Sequence, residues 1–180
     1  MKKSIMIGLF FLALTTTAQA QLVKFGVKAG VNYANLEGTD IQTDAITSYH
    51  AGLVAELKLT DGFSVQPELL YSTQGATYKN AGTEFKNELG YLSIPVLAKI
   101  HLNKTVSLDL GPQASFLLSE RNAFNLNDAE TFEFAAVGGL GINLTKNIFI
   151  QGRYVLGLTE VSKDAKSKNS VFQLSAGFTF

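Results

Sequence analysis

The sequence predicts an all-β fold, a single closed antiparallel up-and-down transmembrane β-barrel of about eight strands. Three observations predict it. From Val23 onward apolar and polar residues alternate with a period of two, long and short connections take turns along the chain, and no stretch carries a 3.6-residue period long enough for a helix. Val171 to Phe180 alternates without a break, with Phe172, Leu174, Ala176, Phe178 and Phe180 on one face. A strand of this kind needs partners on both edges. It is expected to close the barrel on the strand that begins at Val23.

The chain opens on Met1, Lys2 and Lys3, an apolar run from Ile5 to Leu14, and Ala18-Gln19-Ala20. A basic start, a short apolar segment and small residues at the cut are the layout of a secretory signal peptide. The run is too short for a membrane-spanning helix, which takes roughly 20 residues. Residues 1–20 are therefore expected to be a signal peptide and residues 21–180 the barrel domain. The chain has no cysteine, which excludes a lipid-modified cysteine, a disulfide framework and a thiolate metal site. Lys and Arg number 15 and so do Asp and Glu, so no field of one sign recruits nucleic acid.

Strand one puts Val23, Phe25, Val27, Ala29, Val31 and Tyr33 on one face and Lys24, Gly26, Lys28, Gly30 and Asn32 on the other. Residues 34–48 have no period and are assigned to a long loop. Strand two runs from Tyr49 to Leu59, Thr60-Asp61-Gly62 turns the chain, and strand three starts at Phe63 with Val65, Pro67, Leu69 and Tyr71 on its apolar face. A second long loop is expected over 76–88. Strand four, about Leu89 to Leu102, and strand five, from Val106, flank the turn Asn103-Lys104-Thr105. After a third long loop over 119–131, strands six and seven flank Thr145-Lys146-Asn147, and a fourth long loop over 159–169 leads into the last strand. Short turns thus gather at one end and long loops at the other, the ground plan of a bacterial outer-membrane barrel.

Alternation alone does not say which face points outward, since a secreted lipocalin-like barrel carrying an apolar ligand alternates equally well. Aromatics on the apolar face gather near strand ends: Tyr33, Tyr49, Tyr71, Phe116 and Phe132 at the loop end, Phe25, Phe63, Phe178 and Phe180 at the turn end. Two such bands are expected at the two interfaces of a bilayer. Glycines recur on the polar face, where a narrow lumen crowds side chains. Lys28, Glu68 and Arg153 fall near mid-strand, where a lipid-facing Arg or Lys costs ~2 to 4 kcal/mol. The polar face is therefore assigned to the lumen, with a structural charge network of Lys28, Glu56, Glu68, Lys99, Asp109, Glu133 and Arg153. If the Asn103 turn is tight, Lys99 lies across from Asp109, and Gly139 likewise across from Arg153. Pro67, Pro95 and Pro112 each remove a ladder donor, so bulges or shortened ladders are expected there.

No catalytic, metal or cofactor site is assigned, and the protein is expected not to be an enzyme. Ser48 and His50 share a face near the outer end of strand two with Asp44 close in sequence, so a rim-site lipid hydrolase is the weakest of the alternatives considered. His101 lies at the opposite end, too far from His50 to share a metal.

Phe25-Gly26-Val27-Lys28-Ala29-Gly30-Val31-Asn32, Gln66-Pro67-Glu68-Leu69-Leu70-Tyr71-Ser72, Tyr91-Leu92-Ser93-Ile94-Pro95-Val96-Leu97-Ala98-Lys99 and Arg153-Tyr154-Val155-Leu156-Gly157-Leu158 resemble the PorT-type outer-membrane β-barrel family. The similarity extends over essentially the whole chain after the leader. It implies an integral protein of the cell outer membrane, with outer-membrane lipid around it and a link to protein secretion or other envelope proteins. The terminal aromatics Phe178 and Phe180 resemble the signal by which the barrel assembly machinery recognises such chains.

Overall fold

The computed structural model describes residues 22–37, 43–80, 83–121, 132–159 and 168–180. Every regular element among them is a strand: β1 (Val23–Glu37), β2 (Thr43–Lys58), β3 (Phe63–Asn80), β4 (Thr83–His101), β5 (Val106–Arg121), β6 (Phe132–Asn143), β7 (Ile148–Gly157) and β8 (Lys168–Thr179). Each pairs antiparallel with its neighbours in sequence, and β8 returns to β1 to close the barrel. That seam runs from Gly26 opposite Thr179 to Glu37 opposite Lys168. The expected closure of the last strand on the first is what the chain does.

The apolar face looks outward. Leu53, Leu69 and Ile94 are exposed, whereas Glu68 and Arg153 are 4% and 1% accessible. On β7 the alternation is visible residue by residue, from exposed Ile148 and buried Phe149 to exposed Leu156 and buried Gly157. A soluble barrel that left Val27, Leu53, Leu140 and Leu174 in water would forgo the burial that folds it, roughly 1.5 to 3 kcal/mol for each such side chain. Hydrocarbon removes that penalty, and the strand ladder satisfies the backbone that lipid cannot. At the loop end Phe116 lies directly opposite Phe132 with their rings 5.4 Å apart and Tyr49 is 6.3 Å from Tyr71, and at the turn end Phe25, Phe178 and Phe180 are exposed on the outer face.

The short turns are folded by their own side chains. Asn103 Oδ1 accepts from the backbone N–H of Thr105 and Val106, and Thr145 Oγ1 accepts from those of Asn147 and Ile148. In both turns the central residue, Lys104 or Lys146, is left at the tip.

Strand lengths differ from expectation. They run from 10 residues in β7 to 19 in β4, and β3 and β4 stay paired up to Asn80 opposite Thr83. Much of what lacks a period in 34–48 and 76–88 is therefore strand. The backbone ladder continues there although the sequence shows no period.

The prolines shorten the ladder without shifting it. The β2–β3 pairs skip from Val54/Glu68 to Leu57/Val65, the β3–β4 pairs from Pro67/Val96 to Leu70/Ser93, and the β4–β5 pairs from Pro95/Gln113 to Ala98/Leu110. Each gap contains one proline, and register resumes beyond it. The two register shifts lie elsewhere, between Ala45 and His50 and between Gly90 and Tyr91. At the first, Thr73 supplies side-chain substitutes for the ladder: its Oγ1 accepts from Tyr49 N–H and donates to Tyr49 O.

Candidate functional site: a filled lumen with a cup at its turn end

Strand tilt makes successive rungs climb around a barrel. Along one such line Lys99, Asp109, Gly139, Arg153, Gln173, Asn32 and Ser48 are consecutive Cα partners. All of these positions point inward, so residues far apart in the chain form one polar ribbon. The neighbouring line, Gly111, Val137, Val155, Val171 and Ala34, is small or apolar and, with Leu97 and Ala135, packs as a buried cluster inside the lumen.

Glu68 is the hub of the polar contacts. Its Oε2 accepts from Lys28 Nζ at 2.8 Å and from Arg153 Nη1 at 2.8 Å, while Oε1 accepts from Gln66 Nε2 at 2.7 Å. Gln66 in turn takes the Lys99 ammonium at 2.9 Å. Arg153 Nε donates to Gln173 at 2.6 Å, Gln173 donates to Asn32 Oδ1 at 2.9 Å, and Asn32 faces His50 Nδ1 at 2.7 Å. A branch runs from Lys28 to Gln151 and on to Asp109, which also accepts from Ser107. Lone buried charges are costly, whereas ion pairs whose remaining lone pairs and protons are also bonded can be tolerated.

The predicted charge residues are brought together unevenly. Lys28, Glu68 and Arg153 meet at the centre. Lys99 does lie opposite Asp109 on the backbone, as does Gly139 opposite Arg153, but the Lys99 side chain pairs with Glu56 at 3.3 Å. Glu133 is buried opposite Ser115, toward the loop end. Phe178 and Phe180 are exposed on the outer face at the turn end. Sequence reasoning missed the amides, Asn32, Gln66, Gln151 and Gln173, which join the charges into one network. Asn32 and Gln173 share the rung of Arg153, which shows only once the registers are known, and Gln66 and Gln151 reach the network from other rungs.

Asn32 Nδ2 donates to the Thr73 carbonyl at 2.8 Å, so its Oδ1 is the atom that meets His50. The ring therefore donates through Nδ1 and accepts the Ser175 hydroxyl through Nε2 at 2.7 Å. Ser48 Oγ donates to the Thr73 carbonyl at 2.6 Å. With both nitrogens committed, His50 offers Ser48 no base, and the hydrolase alternative loses its geometric ground. The ligand-carrier alternative loses its own, because charges, amides and packed aliphatics fill the interior it would need.

At the turn end the lumen opens into a cup of about 810 Å³. Buried Phe149 lies at its inner end with Lys99 Nζ 5.6 Å from the ring centroid, and the ring occupies the space a side chain at Gly177 would need. At the rim, Lys58 bonds to Asp61 at 2.6 Å and holds that carboxyl below the usual carboxylate range.

An outward apolar face between aromatic bands, a polar packed lumen and an even number of up-and-down strands define a small integral β-barrel of the bacterial outer membrane. The model of the outer membrane protein beta-barrel domain family matches residues 18–163, and the chain belongs to that family. Among solved structures it is similar to the attachment invasion locus protein Ail of Yersinia pestis, at 14% identity and TM-score 0.56, covering 87% of this chain and 98% of that one. It is also similar to Neisserial surface protein A, at 12% identity and TM-score 0.59, covering 87% and 97%. At such identities the likeness is one of fold. No curated protein matches the chain.

Proposed function

We propose that the protein is a non-catalytic outer-membrane scaffold with a closed interior that works through contacts at its two ends. The observation that carries this reading is the Lys28–Glu68–Arg153 centre, where one carboxylate ties β1, β3 and β7 together across the lumen. An ion path commonly carries a ring of one sign, whereas here one carboxylate is packed between two cations. Partners would then be met by the loop end, where β3 and β4 stay paired up to Asn80 opposite Thr83, or by the turn end.

Within this reading, residues 1–20 act as the export signal, and Phe178 and Phe180 are the mark the barrel assembly machinery reads. The PorT-type resemblance narrows the role toward protein secretion or envelope assembly. Two measurements test the proposal. Purified barrel in planar bilayers is expected to give no discrete conductance steps, and steady channel openings in the wild type would overturn the closed scaffold. Crosslinking in intact cells followed by copurification is expected to recover other envelope proteins with the wild type, and recovery of lipid alone would remove the interaction role.

A further inference from the structure

The turn-end cup differs in charge from the chain as a whole. Across the sequence Lys and Arg equal Asp and Glu at 15 each, yet the cup is lined by Lys24, Lys58, Lys99, Lys104 and Lys146 against only Glu56 and Asp61. Both acids are already engaged, Asp61 by Lys58 and Glu56 by Lys99. Lys24, Lys104 and Lys146 make no ion pair among the described residues. They come from the start of β1, the β4–β5 turn and the β6–β7 turn, three separate points around one mouth.

We propose that this cup binds an acidic peptide segment of a periplasmic partner, inserted end-on into the barrel mouth. Short turns of outer-membrane barrels face the periplasm, which places the cup on that side. Three lysines from separate points around one mouth suit carboxylates spread along a chain better than one compact anion, which would need donors converging on a point. Asn143 and Thr179 on the wall can bond peptide groups, and Phe149 gives the inner end an apolar contact. A low-dielectric wall around like charges also focuses their field into the opening. This inference does not depend on what the loop end does.

The test uses the whole barrel in zwitterionic detergent, titrated at low salt into a fluorescein-labelled oligoglutamate peptide and followed by anisotropy, with an oligolysine peptide as control. Binding of oligoglutamate alone, weakened about tenfold or more in a Lys24→Gln/Lys104→Gln/Lys146→Gln variant, is the expected result. All three lysines are exposed, so the variant should keep the heat-dependent gel shift of a folded barrel. Absence of binding by the wild type, or equal binding by the folded variant, would overturn the proposal. Displacement of the peptide by inorganic phosphate, at ionic strengths where sodium chloride has no effect, would make the cup a small-anion site and overturn the peptide assignment.

Discussion

A Cβ placed on Gly30 would stand 2.7 Å from Cε1 of His50. Gly30 on β1 lies between His50 on β2 and Ser175 on β8 along one rung, and only its missing side chain lets the imidazole reach across to the serine hydroxyl. The same relation recurs between Gly139 and Arg153, where an added Cβ would stand 2.5 Å from Arg153 Cβ. At Gly30, Gly52 and Gly111 an added Cβ would also collide with a backbone carbonyl of the adjoining strand, so these glycines let the strands themselves approach.

Gly30→Val should therefore destabilise the barrel by ~1 to 3 kcal/mol through overpacking. Gly152→Ala is the matched control, because nothing lies within 4 Å of its added Cβ. Urea midpoints followed by heat-dependent gel mobility would read both. Equal midpoints for the two variants would show that the lumen is not packed as described.

Glu68→Gln should cost ~3 to 5 kcal/mol, since the buried Arg153 guanidinium stays charged, Lys28 must stay charged or give up its proton, and both lose the carboxylate they share. Adding Lys28→Met removes one of the stranded cations and should recover part of the loss. A double variant no more stable than Glu68→Gln would mean that the two cations do not depend on the same partner. Unfolding in detergent at fixed pH is the measurement.

Leu53 is 58% accessible on the outer face, opposite Val27 and Leu69. Leu53→Arg should cost ~2 to 4 kcal/mol in a bilayer if the position lies near the midplane, and less toward an interface. Folding yield into vesicles of defined lipid would measure it. An unchanged yield would place this face in water.

The strands were legible because side-chain alternation is a local property that any stretch displays by itself, and the inside-out polarity because charges near mid-strand and aromatics near strand ends supply what alternation lacks. So were the pairings of Lys99 with Asp109 and of Gly139 with Arg153, because tight turns fix register by counting. Strand ends at 34–48 and 76–88 were not, since backbone pairing continues there although the sequence shows no period. The partner of Lys99 was also hidden. Backbone opposition to Asp109 was predictable, but a four-carbon stem can lean to Glu56 on another strand, and rung counting does not encode where a long side chain leans.

The three proline gaps are adjacent, each beginning on the strand where the last one ended: Pro67 faces β2, Pro95 faces β3 and Pro112 faces β4. A backbone carbonyl opposite each proline lacks its usual N–H, and within a membrane no water stands ready to replace it. Local opening should therefore be easier along this line than in the wall from β6 to β8, where pairing runs without a break. Hydrogen exchange should find the amides of Ala55, Glu68 and Val96, which face the three prolines across the gaps, less protected than those of Leu140 and Val155. Pro112→Val restores one donor opposite Val96, and the Val96 amide should then exchange more slowly. Equal protection in the two walls of the wild type would show that the gaps carry no weakness. An unchanged Val96 amide in the variant would show that the missing donor is not what weakens the gap.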